Sequence, residues 1–352
     1  MDFTFTEDQS TFRAAISRFF MGEAAPEMLR EIWETDAGRS PALRAKIAAQ
    51  GLTGLSVPET FGGMGMSDVD WALVTQELGY YAIPDSLAET ACIAAGLLGA
   101  LPPEIEVRGE WLPRIVDGSA RIAVGHPVNP LVADAHLADL LLLHHEGEVH
   151  AVSRDAVEVT ANPSVDLSRR LGAVRWTPGV ATRIADARTG RMLWAEALDR
   201  GALCVAGQLL GLAQRMLDLS VDYAAQRKQF GRPIGSFQAV KHLLADVLTK
   251  IEFAKPVLYR AADRLRRGRP DRAVHVSHAK LAAGEAAWLA ARHGIQVHGA
   301  MGYTWEADLQ MFMKRAWALD SAWGDRAFHR IRIEDFVLAG AAPLGPGASL
   351  IE

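Results

Sequence analysis

Between Leu203 and Gln226 apolar residues occupy nearly every helical face, among them Leu209, Leu210, Leu212, Met216, Leu217, Leu219 and Val221. A helix that is apolar all round has to be enclosed by other elements. This segment therefore predicts the central member of a helical bundle. The segments that follow supply neighbours for it. Val240, Leu244, Val247 and Ile251 recur at helical spacing. Ala273 to His293 is an Ala-rich helix suited to close packing, and Leu309 to Ile333 completes the set. Pro256 lacks a backbone N–H and is expected to kink or divide the helix that contains it.

The first third also reads as helix. Thr6 ahead of Glu7 and Asp8 is a cap-like start, and Phe12, Ile16, Phe19 and Phe20 then share one face. Pro41 to Ala49 is a second helix. Ser67-Asp68 opens a third, which carries Trp71, Val74, Leu78 and Tyr81, and Ser86 to Leu98 forms another. The stretch Gly51 to Met66 is rich in Gly and Pro and reads as an ordered connection. After Gly118 the pattern shifts to short apolar runs at Ala120–Val124, Ala138–His144 and Val149–Val152, with alternation at Val157–Thr160 and Ala173–Trp176. The expectation is a mainly α protein with a small β domain. Its parts are an N-terminal helical domain (1–117), a shortened β-barrel- or sandwich-like domain (118–190), a C-terminal four-helix bundle (191–340) and a loose tail (341–352).

The bulk composition removes several function classes. A formal charge of −5, from 37 basic and 42 acidic residues, argues against a general nucleic-acid binder. Two cysteines, Cys92 and Cys204, exclude a disulfide scaffold and read as buried thiols. No Cys/His metal spacing occurs. No apolar run reaches the roughly 18 residues a membrane span needs. The N-terminus lacks a basic region followed by an apolar one, so a cytoplasmic location is expected.

The chemistry concentrates in the turn that follows the central helix. Arg227, Lys228, Arg232 and Lys241 are interleaved there with Phe230, Gly231 and Gly235. Cations, a ring and glycines between two helices suit a phosphate and a flat ring, and a solvated basic turn is the alternative. Arg227 offers a permanent charge and a forked donor set. Gln296, Gly299 and Gly302 follow another helix, where glycines permit close backbone approach to a ligand or an ordinary C-cap. His298 reads as a packed or surface histidine.

Three separate stretches, in order, resemble the acyl-CoA dehydrogenase family over nearly the whole chain. They are Gly51-Leu-Thr-Gly-Leu-Ser-Val-Pro-Glu-Thr-Phe-Gly-Gly-Met-Gly with Gln76-Glu-Leu-Gly; Gly211-Leu-Ala-Gln through Arg227-Lys-Gln-Phe-Gly to Phe237-Gln238; and Gln296-Val-His-Gly-Ala-Met-Gly-Tyr. The resemblance implies FAD, an acyl-CoA thioester substrate, α,β-dehydrogenation, and an electron-transfer flavoprotein as acceptor. It implies that Arg227, Gln229, Phe230, Gln238, Gln296, Gly299 and Gly302 contact FAD, with the Arg227 motif reaching the cofactor of a neighbouring subunit.

Two departures stand against the family pattern. Trp323-Gly324 falls where many members carry the Glu-Gly pair that supplies the catalytic base, and Gly201 falls at the alternative base position. Asp199 and Asp325 lie two residues from these positions and are the candidates for a displaced base; a cap or a surface charge is the alternative for each. In the β unit, Val124-Gly-His-Pro-Val-Asn-Pro replaces the family's Thr-Glu-Pro-Gly-Ala-Gly-Ser-Asp-like loop, and no Trp-Ile-Thr-like strand follows. Asp166-Leu-Ser-Arg-Arg-Leu resembles the shortened members from bacterial steroid and cholesterol side-chain degradation, which often assemble as α2β2 heterotetramers. The leading expectation is one half of such a heteromer, with the base on a second dehydrogenase-like chain. A self-sufficient homo-oligomer, a flavin-dependent monooxygenase of the same fold and a non-catalytic scaffold remain as alternatives.

Overall fold

A computed structural model describes residues 4–340. The tail expected at 341–352 lies outside the described residues. The helices are α1 (Glu7–Glu23), α2 (Pro26–Glu34), α3 (Pro41–Ala49), α4 (Asp68–Tyr80), α5 (Ala95–Gly99), α6 (Glu106–Val116), α7 (Ala187–Gln226), α8 (Gln238–Arg266), α9 (Arg272–His298), α10 (Leu309–Asp320) and α11 (Arg326–Leu338). The strands β1 (Ile122–Gly125), β2 (Val132–Ala133), β3 (Leu140–His145), β4 (Glu148–Ser153), β5 (Glu158–Asn162), β6 (Leu171–Arg175) and β7 (Arg183–Ala185) fall between α6 and α7. A further two-residue pair, β8 (Lys228–Gln229) and β9 (Arg232–Pro233), joins α7 to α8. This is a mainly α chain with a small β region, as the sequence pattern implies. None of the described helices is long and apolar enough to cross a membrane.

Local chemistry sets many of the boundaries. Thr6 and Gln9 form a reciprocal cap, each side chain accepting from the other's backbone N–H at 3.2 Å. Ser40 caps α3, with Pro41 at its first position. Pro256 sits inside α8, which runs unbroken from Gln238 to Arg266, so the expected division of this helix does not occur. Leu309 to Ile333 is not one helix. Trp323 and Gly324 both adopt positive φ, 55° and 94°, and this turn separates α10 from α11.

The described residues divide into two compact units. One contains residues up to Met21, Asp68–Ala82 and the chain from Ala202; the other contains Gly22–Ser67 and Ile83–Gly201. In the first unit α9 packs against α8, α10 and α11, and α4 packs against α8. Gly79 and Gly211 explain how α4 meets α7. A Cβ on Gly79 would overlap the backbone carbonyl of Gln208, and one on Gly211 would overlap that of Gln76. The two backbones approach to a distance that only glycine permits. Leu209, Leu212, Ala213 and Met216 of α7 are fully enclosed, as an all-round apolar helix requires.

In the second unit two sheets form the β region, ordered β1-β3-β4-β7 and β2-β6-β5. β1 runs parallel to β3, and the remaining pairs in both sheets are antiparallel. Glu146 and Gly147, both at positive φ, close the β3–β4 hairpin. Val132, Leu141, Leu143, Val152 and Val157 form the buried cluster of this region.

The Asp166-Leu-Ser-Arg-Arg motif is a structural staple in the same unit. The Asp166 carboxylate accepts from the Ser168 N–H at 2.9 Å and from its hydroxyl at 2.6 Å. Arg39 donates to the Ser168 carbonyl and makes a buried bidentate pair with Asp134, whose closest contact is 2.6 Å. Arg170 donates to the carbonyls of Trp33 and Thr35.

Candidate functional site

The turn after α7 is a tight hairpin. Lys228 pairs with Pro233 and Gln229 with Arg232, while Phe230 and Gly231 occupy the two positive-φ positions at 51° and 78°. Positive φ at both central residues is the geometry that matches strand twist in a two-residue hairpin. It leaves Phe230 92% exposed, with its ring edge-on to Phe237 at 6.1 Å. The Arg232 guanidinium lies over the Phe237 ring at 4.2 Å. Arg227 closes the hairpin through its backbone carbonyl, which accepts from the Ile234 N–H at 2.8 Å. Its guanidinium is exposed and has no hydrogen bond or ion pair among the described residues. Gln229 is exposed on the hairpin, and Gln238 is exposed at the first position of α8.

The second motif lies at the end of α9. Gln296 is exposed there, and Gly299 ends the helix at φ 59° and ψ −138°, a conformation open to glycine. Gly302 is buried against Ile295 and His298. The two motifs meet through Tyr223 and His298, whose rings stack 4.2 Å apart. Arg227, Gln229 and Phe230 lie together at the hairpin, Gln238 opens the helix that follows it, and Gln296 and Gly299 lie on the helix end joined to the hairpin's base. Burial holds the His298 imidazole below its usual pKa, against the opposing effect of its hydrogen bond to the Gly294 carbonyl.

Residues beside the third motif, together with its own Tyr303, surround Gln296. Trp288, Arg292, Ile295, Tyr303 and Trp317 join it around a cavity of about 270 Å³. Trp288, Arg292 and Gln296 are spaced i, i+4, i+8 on α9, so they share a face. That spacing is the signal that could have found them.

The Trp323-Gly324 turn, which the resemblance sets against a catalytic Glu-Gly pair, is held by buried groups. Trp323 is 2% exposed, and its backbone carbonyl accepts from His329 Nε2 at 2.9 Å. Since Nε2 carries the proton for that bond, Nδ1 of the neutral ring accepts from the Ser277 hydroxyl, 3.0 Å away. The buried Lys280 ammonium donates to the Asp320 carbonyl at 2.7 Å and to the Gly324 carbonyl at 3.3 Å. Burial and the Lys280 charge lower the His329 pKa to about 4.

The two candidate aspartates have different surroundings. Asp325 is the N-cap of α11, accepting from the Phe328 N–H at 2.8 Å. Asp199 is buried on α7. At the loop after β1, His126 Nδ1 accepts from the Val128 N–H, so Nε2–H donates to the Trp194 carbonyl at 3.1 Å. That imidazole is buried and committed to holding its own loop.

The chain matches the acyl-CoA dehydrogenase N-terminal domain over residues 6–119 and the acyl-CoA dehydrogenase C-terminal domain over residues 188–338. It is 32% identical over 314 residues to the acyl-CoA dehydrogenase IpdE2 of Mycolicibacterium smegmatis, covering 88% of this chain and 93% of that protein. It is 32% identical over 320 residues to IpdE2 of Mycobacterium tuberculosis, covering 88% of this chain and 91% of that protein. A chain of the ChsE4-ChsE5 complex from Mycobacterium tuberculosis has the same fold, with a TM-score of 0.87 at 24% identity over 96% of this chain and 99% of that chain.

Proposed function

The chain belongs to the acyl-CoA dehydrogenase family, and from that premise we propose that it is one subunit of a heteromeric, FAD-dependent acyl-CoA dehydrogenase. In this reading it grips the phosphate and adenosine end of FAD, while a second dehydrogenase-like chain supplies the catalytic base. FAD, when bound, provides the hydride acceptor for α,β-dehydrogenation of the thioester. Electrons then leave to an electron-transfer flavoprotein, and the assembly is cytoplasmic. The three-part division at 1–117, 118–190 and 191–340 belongs to the same proposal.

The residues present fit one end of the cofactor. Arg227 offers a guanidinium uncommitted among the described residues, on a hairpin whose backbone is held by Ile234. Phe230 offers an exposed ring face, and Gly299 an open backbone approach. The loop after β1 does not match the flavin-ring end in the same way, because His126 is spent on Trp194.

One observation carries the reading. Where the family's Glu-Gly pair belongs stand Trp323-Gly324, with their carbonyls hydrogen-bonded to His329 and Lys280 and no side-chain carboxylate. The α-proton of a thioester is a weak acid and needs a positioned base. The test is co-expression with the product of any adjacent dehydrogenase-like gene, then FAD content and turnover of the chain alone and of the complex. Turnover restricted to the complex is expected. A yellow, active homo-oligomer of this chain alone would sink the proposal.

A self-sufficient enzyme is the second reading, and the burial of Asp199 favours it over Asp325, whose carboxylate is occupied as a cap. Unchanged turnover in Asp199→Asn removes it.

A further inference from the structure

We propose that the end of the bundle where α8 turns into α9 holds a binding site for a phosphate-type dianion, built from Arg260 and Arg264 on one helix and His275 and His278 on the other. Arg260 and Arg264 are one helical turn apart on α8, and His275 and His278 are three residues apart on α9, so each pair shares a face. The two helices pack against each other, and Arg260 lies within electrostatic reach of Arg264 and of both imidazoles. Arg264 is buried and Arg260 half-buried. The Nε of Arg260 is shielded from water without a hydrogen bond, and its guanidinium has no ion pair among the described residues. A charged donor withdrawn from water without a partner costs free energy, and a bound anion offsets that cost.

The acids nearby are spent on other cations. Asp263 pairs with Arg266 at 2.8 Å and with Arg267 at 3.0 Å. Asp271 accepts from His275 Nε2 at 3.2 Å and lies 3.9 Å from Arg264 Nε. From Arg260 to Arg272 the chain carries six arginines against two aspartates, although its formal charge overall is −5. Burial, then the Arg264 charge, holds the Arg260 guanidinium below its usual pKa. Burial, then Arg260, does the same to His275 and His278, with Arg264 adding to the effect on His275 and with Asp271 and Glu285 opposing it at His275 and His278 respectively. Like charges crowded in this way repel one another, and an anion among them replaces repulsion with attraction. The arginine fork matches the oxygens of a phosphoryl group, and each imidazole can take up a proton as the anion enters. Arg260 is 22 residues along α8 from Gln238, about 33 Å of helix. The site is therefore separate from the Arg227 hairpin and does not depend on the proposed function.

Thermal melts of the full chain across a titration of inorganic phosphate test it, with chloride at matched ionic strength as the screening control. Phosphate should raise the melting temperature saturably, and chloride should not. Arg260→Gln should weaken phosphate at least about tenfold, the low end of a hydrogen bond to a charged group. Arg260→Lys keeps the charge without the fork and should retain part of the affinity, which separates a lost contact from a misfolded chain. Arg266→Gln removes an equal charge from an exposed ion pair and should leave the affinity unchanged. General salt stabilisation would act on all these variants alike. Glycerol 3-phosphate distinguishes two sources of the same chemistry: comparable binding identifies a phosphomonoester, and binding of inorganic phosphate alone identifies the free ion. The site is overturned if phosphate gives no saturable stabilisation, if Arg260→Gln binds as tightly as the wild type, or if Arg266→Gln loses as much affinity as Arg260→Gln.

Discussion

Tyr223 and His298 stack with ring centroids 4.2 Å apart and planes inclined by 21°. Tyr223 is one helical turn before Arg227 on α7, and His298 is the last residue of α9, two after Gln296. The Tyr223 hydroxyl reaches the His298 carbonyl at 3.5 Å, and His298 Nδ1 holds the Gly294 carbonyl at 2.8 Å. A packing contact thus couples two motifs that lie far apart in the chain.

Replacing that contact should loosen the site before it unfolds the protein. Tyr223→Leu is expected to cost about 1 kcal/mol, the scale of an aromatic pair, and to reduce FAD retained by the complex. Tyr223→Phe keeps the stack and should retain the cofactor. Thermal melts with flavin absorbance of the purified complex provide both readouts.

The α4–α7 crossing makes a sharper stability prediction. Gly211→Ala places a methyl against the Gln76 carbonyl, which is backbone and has no rotamer to yield. Overpacking of this kind costs typically 1–3 kcal/mol, and urea denaturation should show at least that loss. A midpoint unchanged from wild type would contradict the close approach.

His329 predicts a pH dependence. Its folded pKa of about 4 lies below the ordinary 6.5 because burial and Lys280 disfavour the cation. Between those values the unfolded chain binds a proton that the folded chain does not. Stability from this group is therefore full above about pH 6.5 and is lost as pH falls towards 4, a total on the order of 3 kcal/mol. Denaturation midpoints measured from pH 4 to 7 should fall with acid in the wild type and flatten in His329→Gln.

Asp325 separates a cap from a catalyst. Asp325→Ala removes the acceptor for the Phe328 N–H and should cost about 1 kcal/mol, the usual value of an N-cap. Turnover of the assembled enzyme should not change. A large loss of turnover with an unaltered melting temperature would show the carboxylate acting in chemistry.

Much of the architecture could be read from periodicity. The enclosed α7, the cap at Thr6, α3 from Pro41 to Ala49 and the short strands between α6 and α7 follow from apolar spacing and turn residues. The α10–α11 break was not legible in the sequence, and the division that Pro256 could have caused does not occur. α8 keeps Pro256 within it, so neighbours outweigh one missing hydrogen bond. The turn at Trp323-Gly324 is held by His329 and Lys280, which are distant in sequence or unmarked by any turn signal.

By itself the amino-acid sequence determined most of the helical and strand pattern and the family motifs, because these depend on residue identity and spacing. Only the tertiary structure decided that Tyr223 joins the two motifs, that Asp325 is spent on a helix cap, and that Trp288, Arg292 and Trp317 gather at Gln296. Those facts depend on which helix faces meet. The apolar pattern says that a face is buried, but the partner is chosen by close approach, here by glycines that let backbones touch and by rings that fill the remaining space.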